Sequence, residues 1–346
     1  MGKGLRIIIN VLILLVVASF VRYMISSFSK DEASYAMTET EQDMDIFVSP
    51  YAKETSFEVL ESICALELVD DKIYVATMNS VLIYDLMGTL LSRFEVSGIV
   101  NYESGDLSAG TGIIGEAAGE TVGKSAGAAA DRAGKTSNNA VGVRDIAIRE
   151  NLIYLLFPTS LKVYSHEGME VKAWEACSDN SNYCSFTLAS DYVFVTDADN
   201  KNICKYTTDG NFITFINSPR GFIIPSYSFD IDTWNDTIYC VNAGRQQIET
   251  YTLNGEFIAS FGHPGGQPGA FAGCCNPSHI LFTNEGDILT SEKGNPRICA
   301  FEKNGRFKNL LLNSKTLGGG SNAYDIKICD DKLYVALNKT VSVFKK

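Results

Sequence analysis

The sequence predicts an all-β fold, a six-bladed β-propeller closed by an N-terminal strand, and three observations lead to this prediction. A unit of four short strands recurs about every 40 to 50 residues, a period that is typical of propeller blades. Apolar and polar residues alternate within the strands, as in DKIYVAT and NDTIYCV. A glycine-containing pair such as the NG at 254–255 follows the third strand, where a hairpin turn needs a positive φ.

The N-terminus differs in composition from the rest of the chain. Lys3 and Arg6 precede an apolar run at 7–21, and no A-x-A cleavage site or lipobox cysteine follows. We therefore predict one uncleaved N-terminal transmembrane helix within 1–25, with a cleaved signal peptide as the alternative. Residues 26–50 are polar and acidic and are typical of a tether. The predicted location is the cell membrane, single-pass, with the propeller on the extracytoplasmic (periplasmic) side.

The propeller is predicted to occupy 51–346. Six repeat units align on an aromatic or apolar residue of their second strand; these residues are Tyr74, Tyr154, Phe194, Tyr239, Ile288 and Tyr334. The sixth unit contains three strands before Lys346, so another segment must supply its outer strand. The strand-like TSFEVL at 55–60 is unassigned, and we predict that it pairs beside 341–344 and closes the ring.

An insertion at 101–142 separates the first two units. It is rich in Gly, Ala and Ser, which indicates either a flexible loop or a marginal helix that docks a partner. Its strings AGETVGKS and AADRAGKT imitate a phosphate-binding loop, but no strand leads into either, so we predict no nucleotide site. The net charge of −12 and the absence of a basic stripe argue against nucleic acid.

Units three to five resemble NHL-type repeats of six-bladed propellers. The segments GCCNPSH (273–279) and TSEKG (290–294) are similar to those of bacterial membrane-anchored or exported members of that group. The resemblance covers about 55–346 and implies the fold. It implies little about function, because such propellers include binding platforms, lyases and hydrolases.

The longer loops should share one face of the propeller. Strands of a blade alternate in direction, so loops between the second and third strands lie on the same side as the blade-to-blade connections. Those connections include CSDNSNYC, NSPRGFIIPSY and GHPGGQPGAFAGCCNP, whereas the other side has only tight turns. We call the first side the long-loop face and expect function there.

A ring of side chains should surround the central channel on the long-loop face. Six equivalent positions begin the inner strands, and they are occupied by Ala65, Asp145, Ser185, Asp230, His279 and Asp325. The predicted metal ligands are Asp145, Asp230, His279 and Asp325, and the predicted cofactor is a divalent cation. The alternative is that each aspartate caps backbone N–H groups of a neighbouring blade.

The nine cysteines fit a compartment that permits disulfides. Cys274 and Cys275 are adjacent and close in sequence to His279, so they could form a vicinal disulfide, bind a soft metal, or simply occupy a rigid turn. Cys177 and Cys184 bracket one loop and are predicted to pair.

A charged cluster lies in the loop after the second strand of unit five. Glu292, Lys293 and Arg297 could contribute to a ligand site beside Cys274 and Cys275, or they could form ion pairs with each other on the surface. The hydrolase motifs G-x-S-x-G and H-E-x-x-H are absent, and no catalytic residue is assigned.

The function that the sequence favours is a non-enzymatic, membrane-anchored module that binds a protein partner or a ligand through its long-loop face. One alternative is a metal-dependent hydrolase or lyase that uses the ring at the channel mouth. Another is a redox accessory protein that uses Cys274 and Cys275.

We expect the protein to sediment with membranes and to stay there after a high-salt wash, because an apolar helix is not released by screening charges. Detergent should release it. Recovery of a soluble chain that begins after residue 20 would instead identify the run at 7–21 as a cleaved signal.

Overall fold

A computed structural model describes residues 48–96 and 142–346 of the chain. The predicted anchor, nearly all of the predicted tether and almost the whole insertion at 101–142 lie outside these residues. Within them the chain is an all-β six-bladed propeller with one 3-10 helix, Ala243–Arg245. Residues 48–96 and 142–346 contain no helix that could span a bilayer.

Six antiparallel sheets of four strands form the blades, and their inner strands contact one another in a ring. Blade 1 consists of β2 (Ile63–Val69), β3 (Lys72–Thr77), β4 (Ser80–Asp85) and β5 (Leu90–Glu95). Blade 2 consists of β6 (Asp145–Arg149), β7 (Leu152–Phe157), β8 (Ser160–Tyr164) and β9 (Glu170–Glu175). Blade 3 consists of β10 (Tyr183–Ala189), β11 (Tyr192–Asp197), β12 (Asn202–Thr207) and β13 (Phe212–Ile216).

The remaining blades repeat this order. Blade 4 consists of β14 (Ile231–Trp234), β15 (Thr237–Asn242), β16 (Gln247–Thr252) and β17 (Phe257–Phe261). Blade 5 consists of β18 (His279–Phe282), β19 (Ile288–Glu292), β20 (Arg297–Phe301) and β21 (Phe307–Leu312). Blade 6 consists of β22 (Asp325–Cys329), β23 (Lys332–Leu337), β24 (Thr340–Lys345) and the N-terminal β1 (Ala52–Glu58).

The strand β1 closes the ring, as the sequence predicted. It pairs antiparallel with β24, with Thr55 opposite Val343 and Glu58 opposite Thr340. The observed strand begins at Ala52, slightly earlier than expected. Because β1 covers the outer edge of β24, blade 6 has the same four strands as its neighbours, and its third strand is not left as an open edge.

The two middle strands of each blade are buried on both faces. In β3 and β4 nearly every residue is buried, whereas β5 is largely exposed. The sequence predicted alternating burial for segments such as β3. Burial is continuous instead, because each middle strand lies between two neighbouring blades, and both of its faces contact apolar side chains.

Tight-turn glycines fit the blades together. The glycine between the third and fourth strands packs on a large side chain of the preceding blade, as Gly88 does on Phe57 and Gly210 on Trp174. Gly305 of blade 5 lies against the ring of Phe261 in blade 4. A Cβ at these positions would overlap the ring, so glycine is needed both for its positive φ and for its small size.

Replacing Gly305 with alanine should destabilise the fold more than the same change at Gly318. Both residues have similar positive φ values, +86° and +90°, but only Gly305 has a neighbour within 4 Å of the added Cβ. The backbone strain is therefore matched, and we expect an additional loss of about 1–3 kcal/mol at Gly305 from overpacking. Denaturant melts measure the difference, and equal losses would contradict this account of blade packing.

Candidate functional site

A cavity of about 570 Å³ occupies the central channel. It extends from Arg144, Ser278 and Lys293 at the long-loop face to Val69 and Arg149 further along the inner strands. Every blade contributes lining residues, because all the inner strands border the same axis. A concave space of this size with convergent polar groups suits a small ligand.

The predicted ring lines this cavity, and its aspartates cap strand edges. Asp145 accepts a hydrogen bond from the N–H of Phe186 (3.0 Å), and Asp230 accepts one from Ile280 (2.7 Å). Asp325 accepts one from the N–H of Leu66 at 2.7 Å. Each bond joins one blade to the next, so the geometry supports the capping alternative considered for these aspartates. The divalent cation stays a prediction.

Ser185 and His279 complete the polar part of the ring, and Ala65 occupies its blade 1 position. The hydroxyl of Ser185 lies within hydrogen-bond distance of both Asp145 (2.8 Å) and Asp230 (2.6 Å). His279 Nδ1 is 3.8 Å from Asp230 Oδ2, and 39% of the histidine side chain is exposed. The imidazole is therefore the ring group most available to a molecule in the cavity.

A second layer, which the sequence reasoning missed, lies two residues further along three inner strands. Lys327 Nζ is 3.0 Å from Glu67 Oε2. The carboxylate of Asp232 accepts the N–H of Thr233 (2.7 Å), and Glu67 accepts that of Leu68. Because side chains i and i+2 of a strand share a face, a spacing of two from the ring positions could have identified this layer.

Burial perturbs the titration of the channel carboxyls. Desolvation, assisted by repulsion from Asp230, raises the pKa of Asp145 to about 7, and desolvation also raises the pKa of Asp232 to about 7. Burial raises the pKa of Asp325, and nearby Lys327 opposes that shift. Burial lowers the pKa of the Lys327 amine. The attraction of the Glu67 and Asp325 carboxylates is stronger than this effect, so the pKa is raised overall.

Two cations lie where the cavity meets the long-loop face. Arg144 is exposed, and the carboxylate of its neighbour Asp145 accepts the N–H of Phe186 instead of pairing with it. Lys293 Nζ hydrogen-bonds to Ser226 Oγ at 2.6 Å. Among the residues that the structure describes, neither cation forms an ion pair, so both can meet an anionic group of a ligand.

The segments GCCNPSH and SEKGNP hold each other in place. The side chain of Asn276 accepts the N–H of Lys293 (2.9 Å) and donates to its carbonyl (2.8 Å). The Sγ atoms of Cys274 and Cys275 are 2.9 Å apart, and Cys274 is exposed. A hydrogen bond with Cys275 is the main cause that raises the pKa of the Cys274 thiol, and burial is the second. The raised pKa disfavours the reactive thiolate.

Glu292 and Arg297 bind each other, but in the interior. Arg297 Nε is 2.8 Å from Glu292 Oε1, and their side chains are 4% and 1% exposed. Arg297 also donates to the carbonyls of Gly266 and Ala270, both at 2.6 Å. The predicted surface ion pair is thus a buried one that anchors the connection into blade 5, and neither side chain lines the cavity. Of this cluster only Lys293 reaches the candidate site.

The predicted pairing of Cys177 with Cys184 is wrong. Cys177 Sγ lies 3.1 Å from Cys204 Sγ, whereas Cys184 Sγ points to the carbonyl of Asn182. In the described ranges, Cys177, Cys204 and Asp197 form a group whose potential ligand atoms lie within 4.8 Å of one another. Blade 3 thus holds a cluster that the linear spacing of the cysteines did not indicate.

Comparison with solved structures shows the fold. A virginiamycin B lyase from Staphylococcus aureus matches with a TM-score of 0.51 and 11% identity, covering 84% of this chain and 98% of that one. A streptogramin B lyase matches with a TM-score of 0.51 and 12% identity, covering 84% and 96%. A protein of unknown function from Bacteroides thetaiotaomicron matches with a TM-score of 0.53 and 9% identity, covering 86% and 72%.

These structural matches show a shared six-bladed propeller, and at such low identity they show no shared activity. No protein-family model matches the sequence, and no curated protein matches it. The NHL-repeat resemblance and its GCCNPSH and TSEKG segments therefore stay predictions.

The variant Asp145→Asn should flatten the dependence of stability on pH. The pKa of Asp145 is raised in the folded state, so its stabilising contribution is complete below about pH 4 and is lost as pH rises through about 7. Removing this group should reduce the loss of stability between about pH 5.5 and 8 by about 1–3 kcal/mol, allowing for screening by channel water. The slope, rather than the absolute stability, is the readout.

Denaturant melts across this range test the expectation. Asp287→Asn is the matched control, because Asp287 forms a partly exposed ion pair with Lys308 outside the channel. A slope for Asp145→Asn equal to that of the wild-type protein would mean that Asp145 titrates normally.

Proposed function

We propose that this protein is a membrane-anchored, extracytoplasmic propeller that binds a small anionic molecule at the mouth of its central channel. The apolar run at 7–21 supports the anchor and its orientation. The observation that carries the binding proposal is the cavity of about 570 Å³, at whose mouth Arg144 and Lys293 have no ion-pair partner among the described residues.

The cationic side chains at the cavity mouth are more available to a ligand than the aspartates of the ring. The aspartates of the ring already accept backbone N–H groups, so binding a cation there would have to compete with those bonds. Arg144 and Lys293 at the mouth have no carboxylate partner among the residues that the structure describes. They are two of the cationic side chains that line the cavity, beside the carboxyl groups of the ring and of the second layer. An anionic ligand would therefore contact Arg144 and Lys293, with His279 as a third donor.

An acidic side chain or a terminal carboxylate of a partner protein presents the same chemistry as a small anion. The long-loop face surrounds the cavity, so a partner could insert such a group while contacting the loops. We propose the small molecule because the cavity is concave and of ligand size.

Acid–base catalysis at the channel mouth is the second candidate, and the raised pKa of Asp145 favours it. A carboxyl that titrates near 7 can donate or accept a proton at neutral pH, and His279 lies on the same ring. The streptogramin B lyase has a propeller of the same kind, which indicates that this architecture can support catalysis. Turnover of a bound molecule that is lost in His279→Ala would favour this candidate over simple binding.

Replacing Arg144 and Lys293 together by alanine should weaken the binding of anions by about 100-fold to 10,000-fold, because the variant removes two charged hydrogen bonds that each contribute about 1.5–3 kcal/mol. Titration calorimetry with citrate, inorganic phosphate and a short acidic peptide measures the effect, with spermidine as a cationic probe. The control is Arg306→Ala, because Arg306 is exposed, pairs with Glu302, and does not line the cavity.

The outcomes separate the possible ligands. Binding of citrate or phosphate that depends on Arg144 and Lys293 supports the proposal, and binding of the acidic peptide alone indicates a protein partner. Preferential binding of spermidine, or anion binding that the double variant retains, would contradict it.

A further inference from the structure

Two cysteines from separate segments meet beside blade 3. Cys177 follows β9 in the connection from blade 2 to blade 3, and Cys204 lies in β12, the third strand of blade 3. Their Sγ atoms are 3.1 Å apart. Cys204 is fully buried, whereas Cys177 is partly exposed, so an external reagent can reach one sulfur of the pair.

The surroundings hold Cys177 in place. Its backbone N–H donates to the hydroxyl of Tyr183 (3.1 Å), and that hydroxyl also lies 3.6 Å from Cys177 Sγ. The hydroxyl of Tyr183 is hydrogen-bonded to that of Tyr206, which comes from the same strand as Cys204. The proximity of the two sulfurs is therefore built into the contact between the connection and β12.

The backbone of the connection is fixed at both ends of this segment. The N–H of Ala176 donates to the carbonyl of Thr159, and the N–H of Tyr183 donates to that of Pro158, each at 2.8 Å. Cys177 thus lies in a short loop that is tied to the turn between β7 and β8. The two sulfurs need only a small side-chain adjustment to reach the bonding distance of about 2.05 Å.

A metal fits this cluster less well than a disulfide does. The carboxylate of Asp197 already accepts the N–H groups of Asn182 (3.0 Å) and Asn200 (3.2 Å) and the side-chain amide of Asn200 (2.8 Å). Two thiolates bound tetrahedrally to zinc at about 2.3 Å would be about 3.8 Å apart, further than the observed sulfurs. Asp197 therefore orders the loop, and the two cysteines remain as a pair.

We propose that Cys177 and Cys204 form a disulfide that links the connection between blades 2 and 3 to the interior of blade 3. The oxidant would be a dithiol–disulfide exchange protein or oxidised glutathione. The Cys177 thiolate attacks the disulfide of the oxidant, forming a mixed disulfide and releasing one thiol. The Cys204 thiolate then displaces the second thiol. The protein loses two protons and two electrons, and the oxidant is reduced to two thiols.

The bond would fix the segment 178–182 on the long-loop face and close a loop that includes β10 and β11. It requires an oxidising compartment, which agrees with the extracytoplasmic location that the sequence predicts. It is independent of the channel-mouth site, because neither Cys177 nor Cys204 lines the cavity.

Disulfide mapping of the full chain tests the proposal. The native protein is equilibrated with oxidised or reduced glutathione, free thiols are alkylated, and the protein is digested without reduction for mass spectrometry. A linked peptide that contains Cys177 and Cys204 after oxidation is expected. Alkylation of both residues after oxidation, linkage of Cys177 to another cysteine, or zinc bound in a one-to-one ratio and lost in Cys177→Ser would overturn the proposal.

Thermal melts provide a second readout. Reduction should lower the Tm of the oxidised wild-type protein by about 5 °C or more, because the bond restricts the unfolded chain. The decrease should persist in Cys184→Ser, whose sulfur has a different neighbour, and should largely disappear in Cys177→Ser. Cys177 is partly exposed, so its serine variant avoids the packing loss expected at buried Cys204. An undiminished decrease in Cys177→Ser would contradict the proposal.

Discussion

The inner strand of every blade faces the channel with an unpaired edge, and the propeller depends on satisfying the N–H groups of those edges. Elsewhere each strand pairs with a neighbour, and β1 provides the last outer strand. No strand can fill the axis. Carboxylates take this role at three of the six edges, since Asp145, Asp230 and Asp325 each accept an N–H from the next blade. The same bonds fix the blades relative to one another, so the aspartates that cap the inner strands also help to hold the ring closed.

This solution determines the chemistry of the channel. Capping places carboxyl groups in a confined space, where desolvation, assisted by repulsion from Asp230, raises the pKa of Asp145, and where the Glu67 and Asp325 carboxylates raise the pKa of the Lys327 amine. Within the channel, Lys327 is paired with Glu67, and Asp145 is partly protonated near neutral pH. Arg144 and Lys293, at the mouth, are outside this balance, because the described structure gives them no carboxylate partner. The side chains that remain available to a ligand, Arg144 and Lys293, therefore lie at the mouth, beyond the aspartates that cap the inner strands.

Sequence periodicity could predict the architecture because each blade repeats the same pattern of burial and turns. The missing outer strand of the last unit could be assigned to β1 for the same reason. Ring positions could be read from the repeat, but their hydrogen bonds depend on blade-to-blade geometry that a linear pattern does not contain. The position of Lys327 could have been predicted, because it lies two residues after Asp325 on the same strand and therefore shares its face. The contact of Cys177 with Cys204 could not have been predicted, because it depends on the path of an irregular connection between two blades.

Function in such a fold must come from the differences between its repeats. Six identical units would give six equivalent groups at the channel mouth, with no preferred orientation for a ligand. Here blade 1 contributes Ala65, whereas blades 2 to 4 contribute a continuous network in which Ser185 bridges Asp145 and Asp230. Blade 5 contributes the accessible His279 and, through its second loop, Lys293. The mouth is therefore chemically asymmetric, and this asymmetry would give the proposed ligand a defined orientation.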